Sequence, residues 1–342
     1  MQLQLPLWLS IAFVILGLVA LAWSSDVFVD GASSLAKILG ISPFIVGMVV
    51  IGFGTSAPEL CVSVMSGVSG HSNLSLGNAY GSCIFNIAVI IGISALIMPI
   101  AVRPRVAFVA APGLFLITVF SMWLLGDGNC SRANAAFLLA VFAVVMPLYC
   151  WFDAKSSSPE AKEGGAAKPV GGAWRSAFRA LFGLVVLVGA SHLLVEGAVG
   201  CAKALGVSDL VIGLTVVAAG TSLPELASAV ASARRGEHEF VLGNIIGSNL
   251  FNMLAVVGLA AVISPVLPTL DASGAAVPAF SRYVLVRDLP MTAVLSLSIL
   301  VFGANWRRPR APGSIGRKAA AAWLVASLGY AVVMFLQETG RM

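Results

Sequence analysis

GFGTSAPEL at residues 52–60 returns as AAGTSLPEL at 218–226, and each copy is followed by a second motif, GNAYGSCIFN at 77–86 and GNIIGSNLFN at 243–252. A single offset of 166 residues, without a gap, brings both pairs into register. Over Ile41 to Ile100 against Val207 to Val266, about 23 of 60 residues match. The likeness reaches back through Gly31, Ala32, Ala36 and Lys37, which fall on Gly197, Ala198, Ala202 and Lys203. A duplication kept only for packing would drift toward shared apolar residues. The matches here are polar and helix-breaking residues, Gly-Thr-Ser-x-Pro-Glu above all, so the repeat is read as carrying function.

Around these motifs the chain is apolar. Of its 342 residues 59% are hydrophobic and 10% charged, against about 25% charged in ordinary globular chains, and mean hydropathy is +0.98. Apolar runs of about 20 residues, enough to cross about 30 Å of hydrocarbon, give ten spans centred near residues 15, 55, 87, 116, 142, 187, 220, 252, 294 and 328. The first run, about Leu5 to Trp23, has no Lys or Arg before it and is long for a signal-peptide core, so it is expected to be retained. Asp153 to Ala173 is too polar to cross and reads as a flexible linker between an N-terminal membrane repeat, 1–152, and a C-terminal one, 174–342. Each repeat holds five spans, and an odd number makes the second copy enter the membrane in the opposite sense. The expected fold is therefore an all-α polytopic membrane protein built as two inverted repeats.

The net charge of +5 does not signal a nucleic-acid partner, because the basic residues lie in loops rather than along one face. Ten alternating spans place fifteen Lys and Arg on the face that carries the linker and the loop from Arg307 to Lys318, and five on the other. By the positive-inside rule the linker is expected in the cytoplasm and both termini outside. The cysteines at 61, 83, 130, 150 and 201 show no Cys-x-x-Cys spacing and read as small packing residues. His71, His192 and His238 form no metal-ligand spacing.

Glu59 and Glu225 fall midway along the second and seventh spans, where a charged side chain costs roughly 2.5–3.5 kcal/mol even on lenient insertion scales. Something must offset that cost; a protonated Glu bonded to a neighbouring helix is the plain alternative. The proline before each, Pro58 and Pro224, has no N–H and frees the carbonyl four residues earlier, at Gly54 and Gly220. The helices are therefore expected to break at mid-membrane, which is tolerated only inside protein or around a polar cavity. Helical spacing puts Thr55 and Ser56 on one face with Glu59, and Thr221 and Ser222 with Glu225. A face of carboxylate, hydroxyl and carbonyl oxygens suits a hard cation such as Ca2+ or Na+ rather than a soft transition metal. In the third and eighth spans Asn78, Ser82 and Asn86, and Asn244, Ser248 and Asn252, recur every four residues as polar stripes. Asn86 and Asn252 are read as cation ligands; Asn78 and Asn244 stay open between ligand and interhelical bond. Gly77 with Gly81, and Gly243 with Gly247, form Gly-x-x-x-Gly pairs suited to close helix packing. Asp30 and Glu196 also match, at positions fitting a membrane surface or helix contact as well as an ion path.

The paired GTSAPEL and GTSLPEL, each followed by GNxxGS(C/N)(I/L)FN, resemble the signature repeats of the cation/Ca2+ exchanger superfamily, and within it the prokaryotic sodium/calcium antiporters. The likeness covers essentially the whole chain. It implies broken second, third, seventh and eighth helices around a midplane cluster of cation sites, across which the first and sixth helices slide to alternate access. By position, Glu59 and Glu225 would be the central Ca2+ ligands, shared in turn with Na+, with Thr55 and Thr221 contributing backbone carbonyls. Ser56, Ser82, Ser222 and Ser248 would complete flanking Na+ sites, and Asn86 and Asn252 would line the middle. Two positions depart from the pattern. Some members carry Asp where this chain has Asn252, which leaves the two glutamates as the titratable charge at the centre. Cys83 stands where an Asn is expected after Gly-Ser, as Asn249 stands in the second copy. The linker is too short for the Ca2+-sensing domains of animal exchangers.

The resemblance implies a secondary antiporter rather than an enzyme, exporting Ca2+ against Na+ entry across a prokaryotic plasma (inner) membrane. Its partners are Ca2+, Na+ and the lipid bilayer; no cofactor, nucleic acid or protein partner is implied. A Ca2+/H+ antiporter of the same fold, a passive cation channel and a membrane-embedded ion sensor remain as alternatives.

Overall fold

The computed structural model describes residues 6–68, 72–156, 172–205, 218–267, 269–270, 276–277 and 283–338. It is almost entirely helical. Among the described residues eight helices are long and apolar enough to cross a membrane, and a bent pair, Pro43–Thr55 with Ala57–Val68, forms a ninth. Ala218–Thr221 and Leu223–Arg234 stand where the seventh span is expected; residues 206–217 before them, and most of the linker, lie outside the described residues. Large apolar side chains such as Trp8, Leu16, Leu116, Trp123, Leu181 and Val294 are exposed, a surface that water would penalise and lipid accepts.

Loop contacts sort the ends of the helices into two faces. Ile100–Val102, after the third span, pairs antiparallel with Gly313–Ile315, between the ninth and tenth. Arg103 and Arg105 in the same region reach Glu239 at the start of the eighth span, at 2.8 and 3.0 Å. On the other face Cys130, between the fourth and fifth spans, bridges Val266 after the eighth, and Arg132 donates to the Val262 carbonyl. Each contact joins loops that an alternating ten-span chain puts on one side. Asp30 belongs to the first face. It pairs with Arg179 at 2.7 Å and Arg235 at 3.1 Å, a helix and loop contact rather than an ion path.

The breaks take two forms. In the second and seventh spans the α-helix ends at Ser56 and Ser222, whose ψ angles of 7° and 10° leave the helical region, and the second span bends by 43°. In the third and eighth spans the interruption is a π-helical turn, Asn86–Ile91 and Phe251–Val256, and the chain runs on as one span. These two helices form the centre: 89% of the eighth and 67% of the third are buried, against 11% for the fifth and tenth.

Glycines set how closely the helices approach. The first and sixth spans lie along each other with Gly17 against Leu194, Gly183 against Phe28, Gly31 against Ala180 and Gly197 against Val14. Every one of these contacts maps onto another of them under the 166-residue offset, which is the two-fold relation of an inverted repeat seen in packing. Gly243 and Gly247 similarly face the backbone of Phe44 and Met48. Gly77 and Gly81 have no described neighbour within 4 Å of an added Cβ; the counterparts of Phe44 and Met48 are Leu210 and Leu214, outside the described residues.

A Cβ on Gly183 would lie 2.5 Å from the Phe28 nitrogen, whereas one on the exposed Gly189, in the same helix, meets no described atom within 4 Å. Gly183→Val is therefore expected to lower the melting temperature of the purified protein by an amount equivalent to about 1–3 kcal/mol or to abolish folding. Gly189→Ala is expected to be neutral or slightly stabilising in the same detergent melt.

Candidate functional site

The broken helices bring Glu59 and Glu225 to the buried centre. Each lies in the first turn of a half-helix, Ala57–Val68 and Leu223–Arg234, where unpaired N–H groups and the helix dipole favour a negative charge. The proline supplies that start without wasting a donor, since its missing N–H would be unpaired there. One freed carbonyl finds a partner in the sixth span: the Ser191 hydroxyl donates to Gly220 O at 2.9 Å. Ser25, at the corresponding position of the first repeat, donates to Ala22 in its own helix.

The hydroxyls do not bond the glutamate of their own repeat, as helical spacing suggests; they cross over. Ser56 donates to Glu225 Oε1 at 2.9 Å and Ser222 to Glu59 Oε1 at 2.8 Å. The reason is the break itself. It falls at Ser56 and Ser222, so each serine turns away from the helix that begins just beyond it. Thr55 stays in the preceding turn, where its hydroxyl donates back to Ile51 O at 2.9 Å and lies 3.4 Å from Asn244 Oδ1 of the other repeat. Thr221 is buried beside Ser222.

The third and eighth spans close the site. Ser82 Oγ lies 3.3 Å from Ser222 Oγ, and Ser248 donates to Gly52 O at 3.2 Å. Asn78 and Asn244, left open from sequence, hold the main chain of the glutamates. Asn78 donates to Glu59 O at 3.1 Å and to Ser63 Oγ at 2.9 Å; Asn244 donates to Glu225 O at 3.4 Å and to Ser228 Oγ at 3.1 Å. Sequence reasoning missed Ser63 and Ser228. The offset pairs Ser63 with Ala229 rather than with Ser228, so the two serines do one job from positions that the repeat does not align.

What remains is a set of oxygens that the protein does not satisfy. Glu59, Glu225, Asn86 and Asn252 have no accessible surface, yet Glu59 Oε2, Glu225 Oε2, Asn86 Oδ1 and both amide atoms of Asn252 have no hydrogen-bond partner among the described residues. Buried polar atoms left unpaired cost about 1–3 kcal/mol each, more when charged, and native structures hold few of them. Five such atoms on four residues, four of them oxygens, are the chemistry of a hard-cation site. Among the described residues no group of three or more His, Cys, Asp or Glu could hold a metal. Beyond the two carboxylates, the oxygens gathered here are hydroxyl, amide and main-chain oxygens.

Comparison with known proteins agrees with this chemistry. Residues 9–151 and 176–336 match the family model described as sodium/calcium exchanger protein. The chain is 39% identical to the antiporter CaxA of Alkalimonas amylolytica, over 94% of this chain and 98% of that protein. It is 28% identical to the sodium/calcium exchanger MaX1 of Methanosarcina acetivorans, over 88% of this chain and 93% of that one. The structure superimposes on the sodium-calcium exchanger NCX_Mj with a TM-score of 0.78, at 29% identity, covering 94% and 97% of the two chains. With ten expected spans in two matched halves, two buried glutamates at the crossing of broken helices and a family model matched over both halves, the chain belongs to the sodium/calcium exchanger family of membrane transporters.

Proposed function

We propose that this transporter exchanges Ca2+ for Na+ by alternating access at the site built by Glu59 and Glu225. The observation that carries the reading is the pair of buried carboxylates, each with one oxygen held by the opposite repeat and the other without a partner among the described residues. Two carboxylates balance one Ca2+ or two Na+. With Thr55 and Thr221 carbonyls they form the Ca2+ site; Ser56, Ser82, Ser222 and Ser248 complete Na+ sites, and Asn86 and Asn252 line the middle. Because both ions need the same glutamate oxygens, they exclude each other, and exclusion is what couples their movement. The empty site carries two buried charges and resists crossing the membrane interior, while either ion lowers that barrier by satisfying them. The names of MaX1 and NCX_Mj support Na+ as the counter-ion. The fifteen-to-five division of basic residues supports a cytoplasmic linker and outside termini, in the plasma (inner) membrane.

Radioactive Ca2+ uptake into Na+-loaded proteoliposomes is expected on dilution into Na+-free buffer and to vanish when Na+ is equal on both sides. Uptake driven by a pH gradient alone would assign the protein to Ca2+/H+ exchange, and flux that needs no gradient would make it a channel. Glu59→Gln and Glu225→Gln are each expected to abolish Ca2+ exchange in this assay; transport retained in both would refute the assignment. Asn78→Ala, which removes the bond to the Glu59 carbonyl, is expected to raise the Ca2+ concentration for half-maximal uptake about five-fold, the equivalent of about 1 kcal/mol.

A further inference from the structure

Asn249 and Cys83 occupy the same position of the two repeats, three residues before Asn252 and Asn86. They meet where the third and eighth helices cross. The Asn249 amide donates to Cys83 O at 3.2 Å, and the Cys83 thiol approaches Asn249 O at 3.7 Å. So far the two sides mirror each other. Asn249, however, has a second end: its Oδ1 accepts from Asn86 Nδ2 at 3.0 Å. A thiol has one polar atom, weak both as donor and as acceptor, and among the described residues Cys83 makes no bond to Asn252.

This chain of bonds fixes which way Asn86 faces. A main-chain carbonyl only accepts, so the Asn249 atom facing Cys83 O must be nitrogen, and its oxygen must face Asn86. Asn86 answers with its nitrogen, which leaves Asn86 Oδ1 without a hydrogen-bond partner among the described residues. Among the described residues no such chain reaches Asn252, whose nitrogen and oxygen both lack a hydrogen-bond partner there although the residue has no accessible surface.

We propose that Asn249 is a positioning residue that locks Asn86 with its oxygen turned to the cation, and that Cys83 at the mirror position leaves the Asn252 amide free to turn. The two halves of the site then differ in kind. One presents a fixed acceptor; the other can present oxygen to a bound cation or nitrogen to a carboxylate. This rests on the cation-site reading above.

The test is equilibrium binding of radioactive Ca2+, competed by Na+, to the purified full-length protein in detergent, with the ion-free melting temperature measured in parallel. Asn249→Cys unlocks Asn86 and is expected to weaken Ca2+ binding about 5–10-fold. In an Asn86→Ala background the same substitution is expected to add nothing, because Asn249 acts through Asn86. Cys83→Asn supplies the missing brace and is expected to tighten Ca2+ binding, a gain that disappears when Asn252 is also Ala. The exchange Cys83→Asn with Asn249→Cys is expected to restore near-original affinity and to shift its dependence from Asn86 to Asn252. An Asn249→Cys loss of the same size with and without Asn86 would overturn the proposal, as would unchanged affinity in Cys83→Asn. Should Asn249→Cys fail to fold, the Cys83→Asn result decides by itself. Ca2+ binding that Glu59→Gln removes, with no effect at 83 or 249, refutes only the positioning role; binding that Glu59→Gln leaves intact refutes the cation site itself.

Discussion

Two ionisable carboxylates at mid-span are the constraint that the rest of the structure accommodates. An isolated charge at that depth is costly, and the fold meets the cost in three ways at once. Each glutamate begins a half-helix, so main-chain N–H groups and the dipole face it. Each accepts a hydroxyl from the other repeat. Each has its own carbonyl held by an asparagine of the following helix, Asn78 or Asn244. None of these partners brings a positive charge. Among the described residues, then, no resident Lys or Arg balances the negative charge of the pair.

The packing around this centre follows from the same need. Holding two broken helices at the core requires neighbours that come close, and glycine allows it: Gly52 lies against the Ser248 nitrogen, Gly243 against the Phe44 carbonyl and Gly247 against the Met48 carbonyl. The first and sixth helices use the same device outside the core. Their contact is lined by Gly17, Gly31, Gly183 and Gly197, with Leu21, Phe28, Leu187 and Leu194 packed between the two helices.

Much of this was legible in the sequence because the signals were intrinsic to the residues. Length and apolarity mark the spans, proline marks the breaks, and the offset of 166 marks the symmetry. The ten span centres all fall in helices, and the paired glutamates and serines come together. What the sequence did not disclose was set by where the break falls and by contacts across the repeats. Periodicity places Ser56 on the face of Glu59, but the helix stops at Ser56 and the hydroxyl crosses to Glu225. The broken third and eighth helices come from the family resemblance and not from composition, on which a π turn leaves no mark; each is interrupted by such a turn and runs on as one span. Ser63 and Ser228 escaped because their equivalence lies in space and not in register.

The crossed serine–glutamate bonds have a consequence for how such a protein could arise. One repeat supplies the serine that the other repeat's glutamate needs, so a chain of half the length holds only half a site. It could complete one only by meeting a second copy threaded through the membrane the other way up. A half-length ancestor would then have had to insert in both directions in comparable amounts, which demands an evenly balanced set of basic loop residues. Joining the halves through one linker removes that demand. Each half in the fused chain is free to carry its own lopsided charge, and the two directions of insertion become the two ends of a single polypeptide.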